Sequence, residues 1–114
     1  MKNVYIMSAN RSAIGGFGGT LKGFCPVDLG TLVAKEAISR SGYDPKEIDH
    51  AVFGNVIHTE PRDMYVSRVI ALQSGLSKDS AALTVNRLCG SGLQAIISAI
   101  QLLALEDASI TMAG

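Results

Sequence analysis

Ala82-Leu83-Thr84-Val85-Asn86-Arg87-Leu88-Cys89-Gly90-Ser91-Gly92 is the stretch from which the rest of the chain is read. Ala82 to Val85 is a short β-prone run, and Leu93 to Leu105 beyond it is a long apolar run with helical character. Cys89 therefore falls at a strand-to-helix junction, with Gly90 beside it and Gly92 just past it. Backbone N–H groups at a helix start lack intrahelical partners and carry partial positive charge. They favour a thiolate over a thiol, and they suit the oxyanion that forms when a carbonyl is attacked. The glycines add no bulk, so a substrate can approach the backbone closely. A second reading stands beside this one: free cysteine is among the most buried residue types and is most often a small hydrophobe. The residues of this stretch alone leave both open.

Downstream, no charged residue occurs between Arg87 and Glu106. Ser91, Gln94, Ser98 and Gln101 form a mild polar stripe, and Ala95, Ile96, Ile97, Ala99, Ile100, Leu102 and Leu103 wrap the rest. A helix apolar nearly all round is buried on more than one side. Ser109 to Gly114 then reads as a strand.

Upstream, Val4-Tyr5-Ile6-Met7 reads as a short buried strand. The glycines at 15, 16, 18, 19 and 23 invite a phosphate-loop reading, which fails on spacing. Position 21 is Leu, and Gly23 is followed by Phe24 and Cys25 rather than by Lys and Ser or Thr. A tight, closely packed loop is expected instead. Asp28 is the expected N-cap of a surface helix whose apolar face is Leu29, Leu32, Val33, Ala37 and Ile38, ended by Gly42. Asp44 to Ile48 is at most one helical turn. Ala51 to Ile57 is a strand apolar on both sides, as in a covered parallel sheet. Met64 to Ser74 has helical periodicity and is closed by Gly75. His50 and His58 match no metal-ligand spacing and read as solvated loop residues, and no metal is expected.

The order strand, helix, strand, helix, strand, helix, strand predicts an α/β fold with a mostly parallel mixed sheet and a buried central helix. With 114 residues the chain covers one side of that helix well and the other poorly, so further chain or a partner is expected against Leu93–Leu105. Formal net charge is zero, which gives no electrostatic reason to expect nucleic acid or an anionic membrane as partner. Charged residues make up 18%, below the usual share of about 25%, which again suggests a chain dressed by something larger. Two distant cysteines, Cys25 and Cys89, fit a reducing compartment better than a disulfide framework, so a cytoplasmic protein is expected. No secretory signal and no membrane span are read from the apolar runs.

These residues resemble a thiolase (acetyl-CoA acetyltransferase or β-ketothiolase), and specifically the N-terminal part of one. Arg11-Ser12-Ala13-Ile14-Gly15 with Phe17 and Gly19 is similar to the family's opening, departing at Ser12 and Ala13. Val27-Asp28-Leu29-Gly30, Val52-Phe53-Gly54-Asn55-Val56 and Met112-Ala113-Gly114 follow in the family's order. Thr84 to Ala95 resembles the nucleophile segment nearly residue for residue. Thr59 to Tyr65 is closer to β-ketothiolases than to the short-chain acetoacetyl-CoA type.

The resemblance implies a layered αβαβα fold, with residues 1–114 as part of the first half and the C-terminal half absent. It implies reversible Claisen condensation or thiolysis of 3-ketoacyl-CoA, with Cys89 as the acylated nucleophile and its N–H as one oxyanion donor. Coenzyme A thioesters are then substrates, and no resident cofactor is expected. The family's activating histidine, its proton-shuttling second cysteine and its water-holding asparagine would lie beyond residue 114, so this chain alone is expected not to turn over. A homodimer or homotetramer is expected by the same likeness. Competing readings are a ketoacyl-synthase-type condensing enzyme, a non-catalytic truncated fragment that oligomerises through its apolar helix, and a redox switch through Cys25 and Cys89.

Overall fold

The computed structural model describes residues 3–114. Its centre is β1 (His50–Gly54), flanked in one sheet by β2 (Ala81–Val85) and β3 (Thr111–Ala113). Both pairings are parallel: His50 lies opposite Ala81 and Thr111, and Gly54 opposite Val85. The sheet is thus parallel among the described residues, in line with the mostly parallel sheet expected. Helix α1 (Pro26–Ser41) precedes it, α2 (Val66–Gln73) connects β1 to β2, and α3 (Ser91–Ala104) connects β2 to β3.

Alternation along β1 sorts the helices into layers. Ala51 joins a core with Val27, Ala34 and Ile38 of α1 and Val66, Ile70 and Ala71 of α2. Val52 points the other way and packs with Ala95 and Ala99 of α3. Both strand residues are fully buried, so β1 is covered on both faces, as its uninterrupted apolar sequence requires.

Local chemistry explains the element ends. Cys25, not Asp28, is the N-cap of α1, because Pro26 takes the first helical position where its missing N–H costs nothing. Asp28 sits in the first turn and Arg40 in the last, each matched to the helix dipole. Gly42 closes the helix at φ 77°, a left-handed conformation that glycine adopts without strain. Asp44 and Glu47 form a reciprocal capping box around the single turn Pro45–Glu47. The expected helix over 64–74 divides into a 3₁₀ turn, Pro61–Tyr65, followed by α2.

Three further expectations are corrected. Val4–Met7 is not a strand and not buried: Ile6 is 80% exposed, and the segment has no ladder partner among the described residues. It is tied down instead by Ser8 Oγ donating to Ala37 O at 2.7 Å and Asn10 Nδ2 donating to Val33 O at 3.0 Å. The glycine loop is open rather than closely packed, and a Cβ added at Gly16, Gly18 or Gly23 would meet nothing within 4 Å. The buried face of α1 is Val27, Thr31, Ala34 and Ile38, rotated from the expected one, because this is the face that packs with Ala51 of β1 and Val66, Ile70 and Ala71 of α2. Helix α3 buries one face, Ser91, Ala95 and Ala99, while Leu93 is 66% exposed and Ile96 and Ile97 also face outward, which is the one-sided cover expected of this chain. Periodicity shows which faces are suited to cover; what lies against them is a tertiary matter.

Candidate active site

Cys89 lies past the C-terminal end of β2, one residue before Gly90, the N-cap of α3. Its thiol is free and exposed. Ser91 N donates to Leu88 O at 3.0 Å and Gln94 N to Gly90 O at 2.9 Å, and between them the amides of Gly92 and Leu93 precede the intrahelical ladder. The junction predicted from sequence is therefore present, with an accessible sulfur at a helix start.

The turn between β2 and α3 is closely bonded. Arg87 N donates to Ser91 Oγ at 2.8 Å, and Arg87 O accepts from Gly90 N at 3.1 Å. Leu88 N donates to Asn86 Oδ1 at 3.0 Å, and Leu88 O accepts from Ser91 Oγ at 2.7 Å. None of these bonds uses the Cys89 amide. Leu88 has φ 50°, in the left-handed region that a leucine rarely adopts. The Arg87 guanidinium donates to Gln94 Oε1, and Gln94 Nε2 to Ser98 Oγ at 3.1 Å, which ties the turn to the polar stripe of α3.

The loop after β1 runs beside this turn. Asn55 N donates to Val85 O at 3.0 Å, and Asn86 Nδ2 to Val56 O at 3.2 Å. Asp63, fully buried, holds the far side of the loop: its Oδ2 accepts from Thr59 N at 2.6 Å, Thr59 Oγ1 at 2.7 Å and Glu60 N at 3.1 Å. Burial pushes the Asp63 carboxyl up. The bonds from Thr59 and Glu60, with the charge of His58, outweigh it and hold the group below the ordinary carboxylate value. His58 is exposed in this loop, at the same end of the sheet as Cys89. His50 opens β1, at the opposite end, so it is a strand residue remote from the thiol rather than a loop residue. Among the described residues no group of three or more His, Cys, Asp or Glu is placed to hold a metal ion.

Cys25 differs. It is half-buried against the α1–α2 core, and Arg62 Nη2 donates to its sulfur at 3.6 Å. The Asp28 backbone N–H pulls its thiol value down, but the Asp28 carboxylate, burial and Glu60 together push it above the ordinary value.

Sequence reasoning missed Asn86, Ser91, Gly54 and Asp63 as builders of this region. Asn86 had a signal, since an Asn two residues before a bonded amide is a common turn. Ser91 in a first helical turn had a weaker one. Gly54 had none: a Cβ there would lie 2.8 Å from the Ser91 carbonyl carbon, a contact that exists only once α3 is seated on β1.

Comparison with known proteins agrees with this geometry. The family model described as thiolase, N-terminal domain, matches residues 4–114. A β-ketothiolase of Cupriavidus necator is 51% identical over 99% of this chain, which spans 29% of that protein. The crystal structure of human mitochondrial 3-ketoacyl-CoA thiolase in complex with CoA superposes with a TM-score of 0.89 at 36% identity, over 91% of this chain and 26% of that one. The acetyl-CoA acetyltransferase of Bacillus anthracis gives a TM-score of 0.90 at 38% identity, over 96% and 27%. The chain thus spans less than a third of the length of these relatives.

Proposed function

The chain belongs to the thiolase family, and from that premise we propose that it carries the nucleophile of an acyl-CoA:acetyl-CoA C-acyltransferase. The observation that supports this most is the exposed Cys89 thiol at the β2–α3 junction, with glycines around it and its own amide unused by the turn. In the first step Cys89 Sγ attacks the thioester carbonyl of an acyl-CoA. A new C–S bond forms, the bond to the CoA sulfur breaks, and the thiol proton leaves with CoA. The oxyanion that forms on the way is met by the Cys89 N–H and the positive end of α3. In the second step the α-carbanion of another acyl-CoA attacks the acyl carbon, releasing 3-ketoacyl-CoA and the Cys89 thiol. Thiolysis is the reverse.

Coenzyme A thioesters are substrates in this reading, and no resident cofactor or metal takes part. For the first step this chain supplies the nucleophile and one oxyanion donor. Full turnover needs the activating base and the second proton carrier that the family likeness places outside residues 1–114. The exposed apolar face of α3 and the wider family favour a homodimer or homotetramer, and two free thiols favour the cytoplasm. No helix among the described residues is long and apolar enough to cross a membrane. Peptide mass mapping after exposure to acetyl-CoA tests the proposal: an acetyl group on Cys89 and none on Cys25 supports it, and the absence of acetyl on Cys89 overturns it.

A further inference from the structure

Leu88 stands immediately before the nucleophile with a left-handed backbone, φ 50°. Among the described residues the other non-glycine residue with positive φ is Glu106, at 63°. That one follows the end of α3, where a left-handed residue is a common way to close a helix. Leu88 ends no helix, so its conformation is imposed by something else.

Two side chains impose it. Asn86 Oδ1 accepts the Leu88 N–H at 3.0 Å, and Ser91 Oγ donates to the Leu88 carbonyl at 2.7 Å while accepting Arg87 N–H at 2.8 Å. Each clamp is anchored. Asn86 Nδ2 reaches Val56 O in the loop after β1 at 3.2 Å. Ser91 is buried in the face of α3 that sits on β1, against Gly54, where a Cβ would come within 2.8 Å of both its carbonyl carbon and its Cβ.

The consequence lies in one peptide plane. The Leu88 carbonyl and the Cys89 N–H belong to the same trans peptide and point in opposite directions. Ser91 N and Ser91 Oγ both hold that carbonyl toward α3. The Cys89 N–H is thereby turned away from Ser91, on the side left unused by the turn. We propose that Ser91 and Asn86 are positioning residues that aim the Cys89 amide at the oxygen of an incoming thioester, by fixing the Leu88–Cys89 peptide. The inference rests on the acyltransferase reading above for the identity of that carbonyl, and on the loop geometry for the rest.

The test compares two reactions of one sulfur in the intact chain. Acylation by acetyl-CoA builds an oxyanion and needs the aimed amide; alkylation by iodoacetamide is a direct displacement and does not. Ser91→Ala and Asn86→Ala are expected to slow Cys89 acetylation by about ten-fold or more, below the full loss of a donor, with a much smaller change in alkylation. Equal slowing of both reactions, or of neither, overturns the proposal. Asn86 is exposed, so its variant is the one expected to fold without difficulty. If the unsubstituted chain takes no acetyl group, the acyltransferase reading falls, and amide hydrogen exchange decides the clamp. A Leu88 N–H protected in the chain and released by Asn86→Ala supports it. A Leu88 N–H that exchanges equally fast in both overturns it.

Discussion

Cys25 and Cys89 both stand just before a helix, and their surroundings differ in most of what governs a thiol. Cys25 caps α1 itself, lies half-buried against the core, and shares its neighbourhood with the Asp28 and Glu60 carboxylates and the Arg62 guanidinium. Cys89 lies one residue before its helix, is exposed, and is followed by an α3 without charge. A helix start alone therefore does not set the surroundings of a thiol. At Cys25 the Asp28 and Glu60 carboxylates and burial outweigh the pull of the Asp28 backbone N–H, and no carboxylate occurs in the sequence from Asn86 to Leu105 around Cys89.

The largest test breaks the comparison outright. Cys89→Ser is expected to reduce acyl uptake from acetyl-CoA by about 10⁴-fold or more, as removal of a covalent nucleophile does. Cys25→Ser should leave it within about two-fold, as a change away from the reacting atoms does. Radiolabelled acetyl transfer, read after denaturing gel separation, measures both.

A second test concerns the support under each helix. At Gly54 a methyl would run into the Ser91 backbone at 2.8 Å, and backbone cannot step aside. Gly54→Ala should cost about 2–3 kcal/mol, the upper part of the overpacking range. At Gly30 in α1 the obstacle is the tip of the Ile70 side chain. Gly30→Ala should cost within about 1 kcal/mol, because the helix propensity gained offsets much of the clash. Urea midpoints of the two variants compare them directly.

Asp63 links the two regions, since the loop it holds carries Glu60 toward Cys25 and Val56 toward Asn86. Its carboxyl is lowered in the folded chain, so the unfolded chain binds the proton more tightly. Its stabilising contribution is thus full above the unfolded value of about 4 and is lost as pH falls through the lower folded value. Urea midpoints followed from pH 5 to pH 2 should fall more steeply for the unsubstituted chain than for Asp63→Asn.

The smallest expected effect is at Cys25. Asp28→Asn removes a carboxylate that raises its thiol while keeping the backbone N–H that lowers it. Alkylation of Cys25 near pH 8 should accelerate by about two- to five-fold, less than the ten-fold of one full pKa unit. Cys89 should react at an unchanged rate, which sharpens the contrast between the two sites.

Much of this is legible in the sequence. Glycine after an apolar periodic run placed the ends of α1 and α2, and both glycines adopt positive φ there. The apolar run in β1 correctly implied cover on both faces, and the Val85–Gly92 passage correctly placed Cys89 between strand and helix. Val4–Met7 departs from the strand its apolar run predicts, because such a run states a preference for burial without supplying the strand that would pair with it. The rotated face of α1 was missed because Leu29 and Leu32 fit the helical period as well as Val27, Ala34 and Ile38 do. Only contact with β1 and α2 chose between them.

By itself the sequence determined where strand gives way to helix and that the cysteine at that junction has glycine on one side and no carboxylate in its turn. Those properties are local, and composition and period carry them. The tertiary structure alone decided the left-handed Leu88, the two side chains that hold it, and the outward turn of the Cys89 amide. The reason is that Ser91 cannot be fixed against Gly54, nor Asn86 against Val56, until α3 lies on β1 and the following loop runs beside β2. A backbone angle imposed by partners tens of residues apart leaves no trace in the stretch that adopts it.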